Sequence, residues 1–425
     1  MYAAGMITTE AHPGLEANPA SRILSDTDEQ IVASLSTHVP VTSERNVWMF
    51  WDGGFAAMPA WIQRSVVNTV RREGKHWTVR LLDLVPGSSN HVLCFTDRAD
   101  FPRAALMEGS PRAGMKGMDA GQHLSDFARL AVVYRHGGIY LDAGILLLRD
   151  LDDVCWSALA DPESPYTVAC MAQQMSEHPG QVLNSFIAGR AHDPFIYRWQ
   201  QVFLKMWEGR DTAVGLHAHP LVAHLPLLQI ATPSIPAGAD WASFTDYVAQ
   251  IQAFERVRLN REPPSSSPHA NGTGDAGVGF DGPAYFRKHF YLLDARTEMF
   301  LGQAFDGAAR VLQLLLLPRR PLHGDDDEED QDQAEASRFV HDVLSRSSCC
   351  KFSSGTGRLG LRMLVARQWG LPEHADDDCR PGTWGEYLRY GSVYLRQTRE
   401  VVLMVLPEEE KARITRVGLL EPALT

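Results

Sequence analysis

The stretch SDFARLAVVYRHGGIYLDAGILLLRDLDD, Ser125–Asp153, decides the fold. Its first half places Phe127, Leu130, Ala131 and Tyr134 along one helical stripe, with Ser125 positioned to cap the start and Gly137 or Gly138 the end. Its second half, IYLDAGILLLRDL, is apolar enough for a strand, with a turn admissible near Ala143-Gly144. Asp142 interrupts that apolar run, and a buried carboxylate is costly unless something compensates it. At the end of a parallel-type strand it stands where open α/β sheets bind their ligands.

The flanking sequence extends the same architecture. NVWMFWDGG, Asn46–Gly54, reads as a strand ended by a glycine turn, and PAWIQRSVVNTVRREG as a helix with Pro59 in its first turn and Gly74 at its end. WTVRLLDLV, Trp77–Val85, is the next strand, and this strand–helix–strand order predicts an α/β sheet with parallel neighbours. YTVACMA, Tyr166–Ala172, is a further strand, and an amphipathic helix starts near Pro194. Residues 1–45 read as a loosely ordered lead-in and 46–320 as the main domain, interrupted by a Gly/Ser/Pro-rich insertion at 261–283. Residues 321–337, built around GDDDEEDQD, read as a solvated acidic loop, and 338–425 as a mostly helical addition.

Composition narrows the function classes. With 425 residues, 44% of them hydrophobic, the chain can bury a core without disulfide staples. Its six cysteines (Cys94, Cys155, Cys170, Cys349, Cys350 and Cys379) contain no CxxC pair, which predicts a reduced, cytoplasmic protein; a Golgi association stays open. No basic start precedes an apolar core, and no apolar run approaches the ~20 residues of a membrane span. Asn271-Gly272-Thr273 is a lone glycosylation sequon. A net charge of −12 argues against a general nucleic-acid binder.

The chemistry concentrates around Asp142. Its carboxylate suits a hard divalent ion, Mn²⁺ or Mg²⁺, that in turn holds a diphosphate. Asp126 and Arg129, at i and i+3, share a helix face that offers an acid for sugar hydroxyls and a cation for phosphate or for Asp126 itself. His217, His219 and His224 invite a zinc reading and, with it, a metal-dependent hydrolase, but no acid or thiol stands at a supporting spacing. Trp199, Phe203 and Trp207 form a core stripe, Glu386 and Arg389 a surface ion pair, and GTGRLG (Gly355–Gly360) lacks the Lys-Ser/Thr of a phosphate loop.

The pattern S-D-x-x-R-L-x-x-x-Y-x-x-G-G-I-Y-L-D, Ser125–Asp142, resembles the signature of DXD-type sugar transferases of the GT-A fold. The resemblance is nearest to capsular-polysaccharide-synthesis-type enzymes and their fungal relatives, beside the yeast mannosyltransferases and the clostridial glucosylating toxins. VWMFWDGG, SPYTVAC and NSFIAGRAHDPFIYRW support it, over roughly residues 46–230. It implies a GT-A (Rossmann-like) α/β fold and hexosyl transfer, with retention of configuration, from a nucleoside-diphosphate sugar to a glycan or other hydroxyl acceptor. It also implies donor-binding roles for Trp48 or Trp51, Asp126, Arg129, Tyr140 and Asp142, catalytic roles for Asp142 and Asn184, and Asp142 as metal ligand. Trp48 and Trp51 point to different faces of a strand, so at most one is expected to reach a base. The motif departs from the family at Asp142-Ala143-Gly144, where the second aspartate is missing; a degenerate sugar-nucleotide or glycan binder is the alternative that this departure motivates.

Overall fold

The computed structural model describes residues 12–106, 114–117, 119–175, 178–230, 235, 237–264, 279–302, 307–320, 328–353, 365–406 and 413–423. Its strands, in chain order, are β1 (Leu15–Ala17), β2 (Asn46–Phe50), β3 (Thr78–Leu82), β4 (Gly138–Leu141), β5 (Ile145–Leu147), β6 (Val168–Met175), β7 (His178–Gly189), β8 (Phe290–Asp294), β9 (Cys349–Lys351) and β10 (Leu395–Gln397). Six of them form one sheet in the order β3-β2-β4-β7-β6-β8. β2 runs parallel to β3 and β4, and β6 parallel to β8, while β7 lies antiparallel to both β4 and β6. The mostly parallel sheet expected from the sequence is therefore present, with β7 reversed inside it.

Alternation along β2 separates the two sides of the sheet. Val47 and Met49 face the helix Ala60–Glu73, where Trp61, Val66 and Val70 join the same core. Trp48 and Phe50 face the other way, into a core built with Phe127 and Leu130 of the helix Ala120–His136 and with Trp199, Phe203 and Trp207 of the helix Pro194–Met206 and its C-cap. The two glycines after Ala120–His136 make the entry into β4 possible. Gly137 and Gly138 have φ of 65° and 102°. A Cβ on Gly138 would stand 2.4 Å from the Asn46 carbonyl oxygen, so only glycine lets β4 start against β2.

Several boundaries differ from the sequence reading. The helix leading to the glycines begins at Ala120, because Ala120 and Leu124 extend its buried stripe; Ser125 lies inside it, its Oγ donating to the Gln122 carbonyl at 2.6 Å, and caps nothing. The apolar run after Gly138 splits at Asp142–Gly144, and β5 leaves the main sheet to pair with β9. The lead-in is ordered where it is described: Thr27 and Gln30 form a capping box for the helix Asp28–Leu35, which buries Ile31 and Leu35, and β1 pairs with β10. The acidic segment is helical from Glu328, in a helix reaching Arg346. Acids are favourable at a helix N-terminus, and Arg310 binds both Asp332 and Glu335.

The C-terminal region does contain the helices Glu328–Arg346, Val365–Trp369 and Trp384–Tyr394, yet β9 and β10 weave it into the rest of the chain. Arg389 is not part of a surface pair with Glu386. It is 2% exposed, donates to Ser65 Oγ and the Trp61 carbonyl at 2.8 and 3.0 Å, and pairs with Asp378 at 2.5 Å. The sequon and GTGRLG lie outside the described residues. Among the described residues, no helix is long and apolar enough to cross a membrane.

Candidate active site

A cavity of about 550 Å³ opens beyond the C-terminal ends of β2 and β4. The register Trp48↔Tyr140 sets these two ends side by side, so Trp51 and Asp52 after one strand face the same space as Asp142 after the other. Ser125, Asp126 and Arg129 enter from the helix Ala120–His136, Asn184 from β7 and Lys351 from β9.

Asp126 and Arg129 form the buried centre of this wall. Arg129 Nη1 meets Asp126 Oδ1 at 2.6 Å, with side-chain exposures of 4% and 7%. Arg129 also donates to Gln250 Oε1 at 3.1 Å, Ser125 Oγ at 2.8 Å and Asp142 Oδ1 at 3.3 Å, and its guanidinium lies 4.7 Å from the centre of the Tyr140 ring. Burial opposes the Arg129 charge, but Tyr140, Asp126 and Asp142 more than restore it and raise its pKa above the ordinary value. Asn184 Nδ2 donates to Asp126 Oδ1 at 3.1 Å and to Gln250 Oε1 at 2.9 Å, and His123 Nδ1 lies 3.3 Å from Asp126 Oδ2.

Asp142 is compensated by two cations. Its backbone N–H donates to the Ser185 carbonyl at 2.9 Å and its own carbonyl closes a turn with the Ile145 N–H. Oδ2 accepts from Lys351 Nζ at 2.7 Å, and Oδ1 from Arg129. Burial pushes this carboxyl up; Lys351 and Arg129 outweigh that effect and hold it below the ordinary carboxylate range.

The sequence-derived residues thus mostly converge: Trp51, Asp126, Arg129, Tyr140, Asp142 and Asn184 all line one cavity. Trp48 does not. It is fully buried in the core, with Nε1 donating to the Gly137 carbonyl at 2.9 Å, because it sits inside β2, short of the strand end where Phe50 and Trp51 reach the cavity. The histidines of 217–224 do not assemble either: His217 is held by Asp246 at 2.7 Å, and His219 Nδ1 accepts the Leu221 N–H at 3.2 Å. Sequence reasoning missed Asp52, Gln250 and Lys351. Asp52 stood within a quoted motif; Lys351 had only the faint signal of one cation closing a short buried strand, SSCCK.

The donor set does not fit a resident divalent ion. Asp142 already binds two cationic side chains, and Gly144 stands where the second acid of the motif would be. A Cβ on Gly144 would lie 3.0 Å from the Trp61 ring, so a side chain here would require the indole to give way by a few tenths of an ångström. Among the described residues, no group of three or more His, Cys, Asp or Glu is arranged to hold a metal.

The cleft lies beyond the carboxyl ends of parallel strands, where open α/β sheets bind their ligands. Comparison with known proteins specifies the class. Residues 88–160 match a family described as "Glycosyltransferase sugar-binding region containing DXD motif". The "O-glycosyltransferase braB" of Annulohypoxylon truncatum is 38% identical over 417 residues, covering 96% of this chain and 94% of that protein. The "Glycosyltransferase afumC" of Aspergillus fumigatus is 39% identical over 402 residues, covering 93% and 96%. The "O-glycosyltransferase PaGT" of Phomopsis amygdali is 33% identical over 413 residues, covering 95% of each. The chain belongs to this family of DXD-type glycosyltransferases, and it is a glycosyltransferase.

Proposed function

We propose that the cavity takes a nucleoside-diphosphate hexose and transfers its sugar to a hydroxyl on an acceptor with a substantial apolar body. The observation that carries this reading is the convergence of Asp126, Arg129, Asp142 and Asn184 on one cavity. Asp126 and Asn184 are the groups for sugar hydroxyls, since a carboxylate accepts from them and an amide both donates and accepts. Trp51 offers an aromatic face for the base. Arg129 bonds both Ser125 and Asp142, and the diphosphate would sit beside this group. Catalysis then rests on positioning and on stabilising the departing diphosphate.

The acceptor side is the departure from a polysaccharide pathway. Leu228, Ile230, Phe244, Val248 and Ile251 form a continuous apolar flank of the cavity. Such a flank favours a lipophilic small molecule over a hydrated glycan chain. Retention of configuration follows from the resemblance alone and is carried as part of the same proposal. The six free cysteines favour a reducing, cytoplasmic setting.

The test is calorimetry with UDP and GDP, followed by donor consumption measured with wild type and Asp142→Asn. Binding of one nucleotide, with turnover lost in the variant, is the expected result. No binding of either nucleotide, with or without Mn²⁺, overturns the reading.

A further inference from the structure

We infer that the Lys351 ammonium takes the place of the divalent ion at the leaving diphosphate, so that transfer by this chain is independent of metal. The inference rests on the donor-site reading above and goes beyond it by naming the group that receives the charge.

Three observations converge on Lys351. β9 pairs antiparallel with β5, with Lys351 directly opposite Ile145, so the lysine emerges beside the Asp142–Gly144 turn by register. Its Nζ bonds Asp142 Oδ2 at 2.7 Å and lines the cavity. An ammonium has three N–H donors, and this bond uses one of them. Finally, the position that would carry a second acidic ligand is Gly144, with the Trp61 ring pressed against it. A cation is supplied where the motif loses its metal-binding acid. Asp142 then acts as a positioning residue that holds Lys351 and Arg129 in place.

The step balances without a further reactant. The bond between the sugar C1 and the β-phosphate oxygen breaks, and its electron pair stays on that oxygen, next to Lys351. The acceptor hydroxyl oxygen bonds to C1, and its proton passes to solvent. Lys351 remains protonated throughout and stabilises charge that grows on the diphosphate, a contribution on the order of 10²-fold in rate when a single such donor is removed.

The experiment compares wild type, Lys351→Met and Lys351→Arg in EDTA and in Mn²⁺, using UDP and GDP for calorimetry and UDP-glucose and GDP-mannose for donor consumption. Wild type is expected to bind nucleotide and turn over in EDTA, changing less than about threefold on addition of Mn²⁺. Lys351→Met is expected to weaken nucleotide binding and to lose about 10²-fold in turnover, and Lys351→Arg to recover a large part of both. Wild type that binds nucleotide only with Mn²⁺, or a Lys351→Met protein that binds as wild type does in EDTA, overturns the inference while leaving the donor site intact. Failure of every nucleotide under both conditions overturns the donor-site reading itself, and the inference with it.

Discussion

Replacing Arg129 by methionine tests whether the buried acid–arginine pair organises the site. The pair is 2.6 Å apart and almost fully enclosed. At an effective dielectric of about 20, that separation gives roughly 6 kcal/mol of Coulomb attraction, before the desolvation of both ions is subtracted. Arg129→Met leaves Asp126 buried opposite no guanidinium and removes bonds to Ser125, Gln250 and Asp142. Breaking one partner of such a pair costs about 3–5 kcal/mol. Adding Asp126→Asn removes the orphaned charge, so the double variant should be more stable than the sum of the singles by roughly 2 kcal/mol. Urea unfolding followed by tryptophan fluorescence, extrapolated linearly, measures all four corners of the cycle. A loss under ~1 kcal/mol for Arg129→Met, or a coupling under ~0.5 kcal/mol, would refute the argument that this pair is the buried keystone of the donor wall.

Other consequences are accessible to the same assays. Gly138→Ala places a Cβ 2.4 Å from the Asn46 oxygen at a φ of 102°, and should cost upward of about 2 kcal/mol; an unchanged melting temperature contradicts the steric account of the glycine pair. Trp48→Phe loses the bond to the Gly137 carbonyl and should lower stability by about 1–2 kcal/mol without altering nucleotide affinity, whereas Trp51→Ala should weaken nucleotide binding by about tenfold. The opposite pattern of affinities would reverse the assignment of the two indoles. Burial and the neighbouring Asp150 push the Glu73 carboxyl up to about 8, from 4.5. Its folded form therefore favours the protonated state, so its contribution is intact below pH 4.5 and is lost as the pH rises towards 8. The loss by pH 7 is about 3 kcal/mol. Glu73→Gln should be more stable than wild type at pH 7 and lose that advantage near pH 5; an advantage independent of pH would point to another cause.

The legible part of this protein was the part encoded locally. A helical stripe, two glycines and a carboxylate within Ser125–Asp142 singled out Asp126, Arg129 and Asp142, the family resemblance added Tyr140, and all four line one cavity. The parity of β2 separated Trp48 from Trp51, but only packing decided which of them faced the cavity. Lys351 and Gln250 were illegible, since their places depend on pairing and packing between distant segments: β9 finds β5, and the helix Ala249–Arg258 brings Gln250 to Arg129 and Asn184. The early boundary of the helix at Ala120 was missed because Ser125 makes a plausible cap, while burial of Ala120 and Leu124 carried the helix upstream of it.

Lys351 and Asp142 are 209 residues apart in the chain. During synthesis, the large sheet can be complete while its cleft still lacks the strand that brings the ammonium. Chains interrupted before β9 would leave Asp142 with Arg129 as its one cationic partner of the two. Such a long closure also slows assembly, since the cost in chain entropy is met before the last contact forms.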